Sequence, residues 1–422
     1  MSRLRRSGRR LIATVAFLSV FAGSVTLGSY LGIRNVVDSD TSIAQAGGID
    51  QSALAVALTP PMGWNGYNRF GRAVTASMVE AEARALVRSG MKAAGYTYVN
   101  LDGGWALPWR DSNGALIPNP FKFPDGIKAV ADYVHNLGLK FGIYTSAGMK
   151  NCYGSMAGSY GHYRQDVATF ASWGVDYVKF DRCFIPYGAF PHLSDGQIAQ
   201  VLTRQMGAAI AAVGRPMVYD LNFADVQSWA WPVPMAAMWR TTWDIKGTYR
   251  SLLSNFRANV SCYARARPGR WNDPDMLEIG NRGLTVTEQQ AQFSLWAEMA
   301  APLIAGNDLT TMTPAARAIL TNLAVIAVDQ DPLGRQGYPV ASSSGHWVLT
   351  KLLANGDRAV VLFNATDKSA LITTTVDTIG LTGSAAYSVL NLWTGMTSKS
   401  RGQILARVAP HGVVMFVVTP MA

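Results

Sequence analysis

Between residues 57 and 330 the chain alternates short apolar runs with stretches of helical period. Residues 57–69 give a Pro-rich entry and then a short apolar strand ending in Trp64-Asn65. Amphipathic spacing predicts helices at 76–94, opened by Thr75 or Ser77, and at 124–137, 164–174, 195–213 and 286–299. The other candidate strands are short runs rich in apolar and aromatic residues: Tyr96 to Asp102, stopped by Gly103-Gly104, then Lys140 to Tyr144, Asp176 to Cys183, Met217 to Asn222, Met235 to Trp239, Gly269 to Met276 and Pro302 to Asp308. With the first, these make eight strands in a repeating strand–helix order, the pattern of a (β/α)8 TIM barrel of about 250 residues.

After Asp329-Gln330-Asp331-Pro332 the period changes. HWVLTKLL, RAVVLFNA, SALITTTV, YSVLNLW and GVVMFVV are short alternating segments divided by Gly, Asn, Asp and Ser. They predict a C-terminal antiparallel β-sandwich domain over 336–422, following the barrel at 47–335. Packing against the barrel is its expected role, with carbohydrate binding as the alternative.

The first 46 residues stand apart. A basic opening, MSRLRRSGRR, precedes 23 residues without a charge, Leu11 to Ile33. This is an export signal, read as a cleaved signal peptide, with an uncleaved anchor as the alternative, so the protein is expected to be secreted. The same segment holds six Arg against Asp38 and Asp40 and so supplies much of the net charge of +10. The remaining charge is spread thinly, without a basic run interleaved with aromatics, which argues against nucleic acid as a partner.

The candidate chemistry sits at the carboxyl ends of the predicted strands, the active-site face of such a barrel. In Asp176 to Cys183, strand alternation places Tyr177, Lys179 and Asp181 on one face, so a cation and a carboxylate lie side by side. Asp102, Asp220, Asp244, Asp273, Asp275 and Asp308 recur at equivalent ends, beside Trp64, Trp105, Tyr144, Trp239 and Trp271. Acids with aromatic platforms suit a sugar, whose hydroxyls donate to carboxylates and whose C–H faces pack on rings. The five His are scattered without metal-binding spacing, and neither a phosphate-binding loop nor a G-x-S-x-G elbow is present, so no metal and no cofactor are expected. Cys152, Cys183 and Cys262 allow one pair; a Cys152–Cys183 bridge would tie two active-site loops, and three unconnected thiols are the alternative.

Taken together, TPPMGWN at 59–65, FPDGIKAVADYVHNLGLKFGIY at 123–144, TFASWGVDYVKFD at 169–181, WNDPDML at 271–277, APLIAGNDL at 301–309 and DQDPLGRQG at 329–337 resemble glycoside hydrolase family 27, the α-galactosidase family. The resemblance implies a secreted retaining α-galactosidase acting on carbohydrate, with Asp181 as nucleophile and Asp244, four residues beyond Arg240, as acid/base. It assigns substrate contacts to Trp64, Asp102, Tyr144, Lys179, Arg240 and Asp275, and matches Cys152 and Cys183 to a family disulfide. Physically, Lys179 should keep Asp181 ionised, and burial near aromatic rings should keep a proton on Asp244.

Two positions depart from that family's pattern. Asp102 is followed by Gly103 where a second aspartate is usual, and Asn222, kept as a substrate-binding candidate, stands where a glutamate is usual. Changed partners around a sugar alter discrimination strongly. A β-L-arabinopyranosidase or an α-1,6-glucan hydrolase of the same family, or a non-catalytic sugar-binding protein, are the alternative readings.

Overall fold

The computed structural model describes residues 56–231 and 236–421; the N-terminal segment read as an export signal and Met235 lie outside them. Eight parallel strands form one curled sheet: β1 (Met62–Asn65), β2 (Tyr98–Leu101), β3 (Lys140–Ser146), β4 (Tyr177–Asp181), β5 (Val218–Asn222), β6 (Met238–Arg240), β7 (Trp271–Asp273) and β8 (Leu303–Ala305). β8 pairs with β1, and a parallel bridge from Leu277, just past β7, to Ala305 brings the two remaining edges together. The expected strand near residue 235 begins three residues later and is three residues long.

Helices cover the outside because alternation sends one set of each strand's side chains outward. Val99, Leu101, Val178, Phe180, Tyr219 and Leu221 join the main core with the apolar faces of α1 (Ala76–Arg88), α2 (Gly126–Asn136), α3 (Tyr163–Ser172) and α4 (Asp195–Ala212). The caps are those the sequence offers. Thr75 accepts from the Met78 amide at the start of α1, and Thr285 with Glu288 closes a capping box before α6 (Val286–Glu298), which follows α5 (Tyr249–Val260). Among the described residues none of the helices is long and apolar enough to cross a membrane.

Inside the barrel the floor is a separate apolar layer containing Tyr98, Tyr177, Val218, Met238 and Trp271, with the Tyr98 and Tyr177 rings 5.6 Å apart. It seals one end, so inward-facing residues above it open only to the carboxyl-terminal mouth.

The C-terminal part is antiparallel. Its strands are β9 (Tyr338–Ser343), β10 (His346–Leu352), β11 (Arg358–Asn364), β12 (Ala370–Thr375), β13 (Tyr387–Asn391), β14 (Thr397–Ser400), β15 (Gln403–Val408) and β16 (Val413–Pro420). Six of them form a sheet in the order β9-β10-β11-β16-β13-β14, and β12 with β15 forms a second. One face of the large sheet packs on the small one through Val348, Val360, Leu362, Ile372 and Ile404. Its other face, with Leu349, Val361, Phe363 and Met415, belongs to the barrel's own core. The Trp393 indole donates to Ser294 of α6 at 2.9 Å, and Lys351, fully buried, donates to the carbonyls of Val328 and Ala297.

Candidate active site

β4 carries the centre. Tyr177 is in the floor, Lys179 is one layer higher and Asp181 is at the rim, as a two-residue period requires. The neighbouring strands are in register, Lys179 opposite Asp220 and Asp181 opposite Asn222 on β5, so side chains of like height meet. Asp181 is almost completely buried. Asn222 donates to its Oδ1 at 2.6 Å, the Tyr144 hydroxyl donates to the same carboxylate, and Cys152 Sγ lies 3.4 Å from Oδ2. Burial pushes the Asp181 carboxyl up to about 6, against the pull of Lys179, Tyr144 and Arg240.

This corrects the expectation that Lys179 keeps Asp181 ionised: the lysine does pull the carboxyl pKa down, but burial outweighs it. Lys179 forms its ion pair elsewhere, with Asp102 Oδ2 at 2.8 Å, and its ammonium sits over the rings of Tyr144 and Tyr67 at 5.7 and 5.9 Å. Burial works against the lysine's charge, but Asp102 and Asp181 prevail and hold its pKa above the ordinary range. Asp102 is filled on both sides, accepting from Asn65 at 2.7 Å on Oδ2 and from the Gly103 amide at 2.7 Å on Oδ1.

Arg240 is the second hub. From the end of β6 its guanidinium reaches Asp244 at 2.9 Å, Asp275 at 3.0 Å and Asp273 at 3.4 Å. Asp275 adopts a left-handed backbone (φ 78°), which lets Oδ2 accept from the Ile245 amide at 2.7 Å while Oδ1 meets the arginine. Burial raises the Asp275 pKa. Asp244 is different: its side chain is 81% exposed, over the mouth. What desolvation it has would raise its pKa, yet Arg240 and then Lys179 hold it below the usual carboxylate range. The expected burial of Asp244 among aromatic rings is not found, because the loop after β6 presents it outward. Lys179 and Arg240 pull down the pKa of both Asp181 and Asp244, so the two carboxylates share the same pair of cations.

Cys152 and Cys183 form a disulfide between the loops after β3 and β4, while Cys262 is free and buried. Its sulfurs carry no proton and are spent as ligands, so their closeness to Asp181 makes no metal site.

Of the expected aromatic platforms, Tyr144 sits at the site against Asp181 and Lys179, while Trp64 is buried with its indole donating to the Asn307 carbonyl at 2.7 Å. Trp105, Trp239 and Trp271 do not face the site. Trp105 packs on Phe170 and Trp173, Trp239 donates to Asn272, and Trp271 is in the floor. Asp308 also falls outside, its carboxylate capping the turn at Thr310. Asp220 lies below the pocket, receiving the Tyr177 hydroxyl at 2.8 Å, and burial with the nearby Asp273 charge pushes it up to about 8. Asn65 escaped the sequence reading; its position directly after Trp64 at a strand end was the available signal.

Residues 59–331 match the family model described as alpha galactosidase A, and residues 343–418 match the alpha galactosidase C-terminal beta sandwich domain. An alpha-galactosidase from Oryza sativa is 43% identical over 363 residues, covering 86% of this chain and 85% of that one. Among solved structures, alpha-galactosidase I from Mortierella vinacea superposes with a TM-score of 0.82 at 33% identity, covering 87% of this chain and 98% of its own. A β-L-arabinopyranosidase from Geobacillus stearothermophilus gives 0.77 at 25% identity, with 88% and 98% coverage.

Proposed function

The chain belongs to the α-galactosidase family, glycoside hydrolase family 27, and from that membership we propose a retaining α-galactosidase that releases terminal α-D-galactose from oligo- or polysaccharides. Asp181 attacks the anomeric carbon as the glycosidic bond breaks, and Asp244 delivers its proton to the leaving oxygen. Water then cleaves the glycosyl ester, its proton passing to Asp244, so two inversions leave the α configuration. The observation that carries this reading is the pairing of a buried, oriented Asp181 with an exposed Asp244 around one set of cations. Binding of the sugar covers Asp244, and that desolvation favours its protonated form. Asp102 and Lys179, already paired, present a carboxylate and an ammonium to the sugar hydroxyls.

One observation favours a second glycone. At Gly103 a Cβ would lie 3.2 Å from the Tyr144 ring, so this part of the wall is backbone, and the carboxylate usual there in the family is absent. β-L-arabinopyranose matches α-D-galactopyranose without the C6 hydroxymethyl and needs less grip on that side. The test is kcat/KM of residues 47–422 on aryl α-D-galactoside, β-L-arabinopyranoside and α-D-glucoside. The galactoside is expected to dominate by about tenfold or more; dominance of another sugar would replace the glycone and leave the mechanism standing.

Export is part of the same reading, supported by the disulfide, which persists in oxidising compartments. The mature chain is expected to begin at a small-residue site such as Ala22-Gly23-Ser24 or Ala44-Gln45-Ala46, and a mass spectrum containing a peptide upstream of Leu11 would refute cleavage.

A further inference from the structure

We propose that Trp243 is the platform for the leaving-group sugar, stacking on the ring directly beyond the scissile bond. The inference rests on the retaining-glycosidase reading and adds a residue that determines leaving-group specificity.

Trp243 precedes Asp244 and is 73% exposed. An indole left in water forfeits the burial that normally places tryptophan in cores, and here no apolar neighbour covers most of it. Its backbone, in contrast, is tied down at each step. The Thr241 amide bonds to the Asp273 carbonyl at 2.8 Å. Asn255 Nδ2 of α5 reaches Thr242 Oγ1 and the Trp243 carbonyl, both at 3.1 Å, and the Pro274 carbonyl at 2.9 Å. Asp244 is held by Arg240, and the Ile245 amide by Asp275. The ring is thus mounted on a rigid segment whose other exposed side chain is the acid/base.

Position then selects the occupant. A general acid must come within about 2.6–3.2 Å of the oxygen it protonates. That oxygen belongs to the leaving group, and adjacent residues have Cα atoms about 3.8 Å apart. Whatever departs from Asp244 therefore starts within reach of the neighbouring indole. A pyranose offers a C–H face that matches a flat ring, while fluoride offers nothing to stack.

The test compares wild type, Trp243→Ala, Trp243→Phe and Trp243→Leu in the full mature chain on two donors of the same glycone, an α-linked disaccharide and the glycosyl fluoride. The ratio of kcat/KM, disaccharide over fluoride, is expected to fall about 5- to 20-fold in Trp243→Ala. Phe should keep most of the ratio and Leu, bulky without a flat face, should lose it. Partition of the glycosyl-enzyme to an added monosaccharide acceptor rather than water should fall in parallel. An unchanged ratio overturns the proposal. So does an equal fall on both donors, which would make Trp243 a support of the fold, and so does a lowered ratio accompanied by loss of the basic limb of the pH profile, which would mean that the substitution acts through Asp244. The glycone is chosen as the one wild type turns over fastest, so failure of the galactose assignment is read from wild type alone and failure of the platform from the variant ratios.

Discussion

Asp181→Ala is expected to lower kcat/KM by on the order of 10^5-fold or more, the scale on which loss of a covalent nucleophile is felt. The reason is local. Asp181 is a buried carboxylate at the end of β4 whose oxygens are met by Asn222, Tyr144 and Cys152 Sγ. Its removal leaves an anion-sized hole with hydrogen-bond donors still in place. Azide or formate should enter that hole and restore part of the turnover, azide yielding a glycosyl azide of inverted configuration. Folding is not expected to suffer, because burial has already made the charge costly, its pKa standing at about 6. Turnover at the wild-type rate, or a glycosyl adduct mapped to another residue, would remove Asp181 from its role.

Asp244→Asn is expected to cost about 10²- to 10⁴-fold on disaccharides and much less on the glycosyl fluoride, whose leaving group needs no proton. Its pH profile should also change sign. In the wild-type free enzyme Asp181 titrates at about 6 and Asp244 below the usual carboxylate range. The competent form carries one proton on the pair, and singly protonated forms predominate between those two titrations. Wild-type kcat/KM is therefore expected to peak on the acid side and to fall about tenfold per pH unit above roughly pH 6. With Asn at 244 only ionisation of Asp181 matters, so kcat/KM on the fluoride should rise through about pH 6 and then level. A basic limb that survives Asp244→Asn would show that another group supplies the proton.

The placement of these two acids marks how far the residues alone can be read. Alternation along Tyr177 to Asp181 is a local property of an extended chain, so Lys179 and Asp181 could be assigned to one face before any fold was known. The same holds for the helix start at Thr75 and for the change from βα units to alternating strands after residue 330. Which cation serves which carboxylate was not legible. Lys179 turns to Asp102, 77 residues away in sequence, because β2 and β4 flank β3 in the curled sheet. Equally, Trp105 and Trp271 read as platforms by their spacing, yet the loop after β2 folds one against α3 and the barrel closes around the other.

Asn222 shows the division most sharply. In the sequence it is only an amide where the family usually has an acid, a loss of grip on the sugar. In the structure its register opposite Asp181 turns it into a donor to the candidate nucleophile. By itself, then, the sequence determined the architecture, the identity of the candidate acids and the strand ends that carry them, since hydrophobic period and residue type act within a few residues. The charge state of each acid was decided by tertiary structure, as were its partner and its exposure, because those depend on groups brought together across the sheet and on how much water the closed barrel leaves beside them.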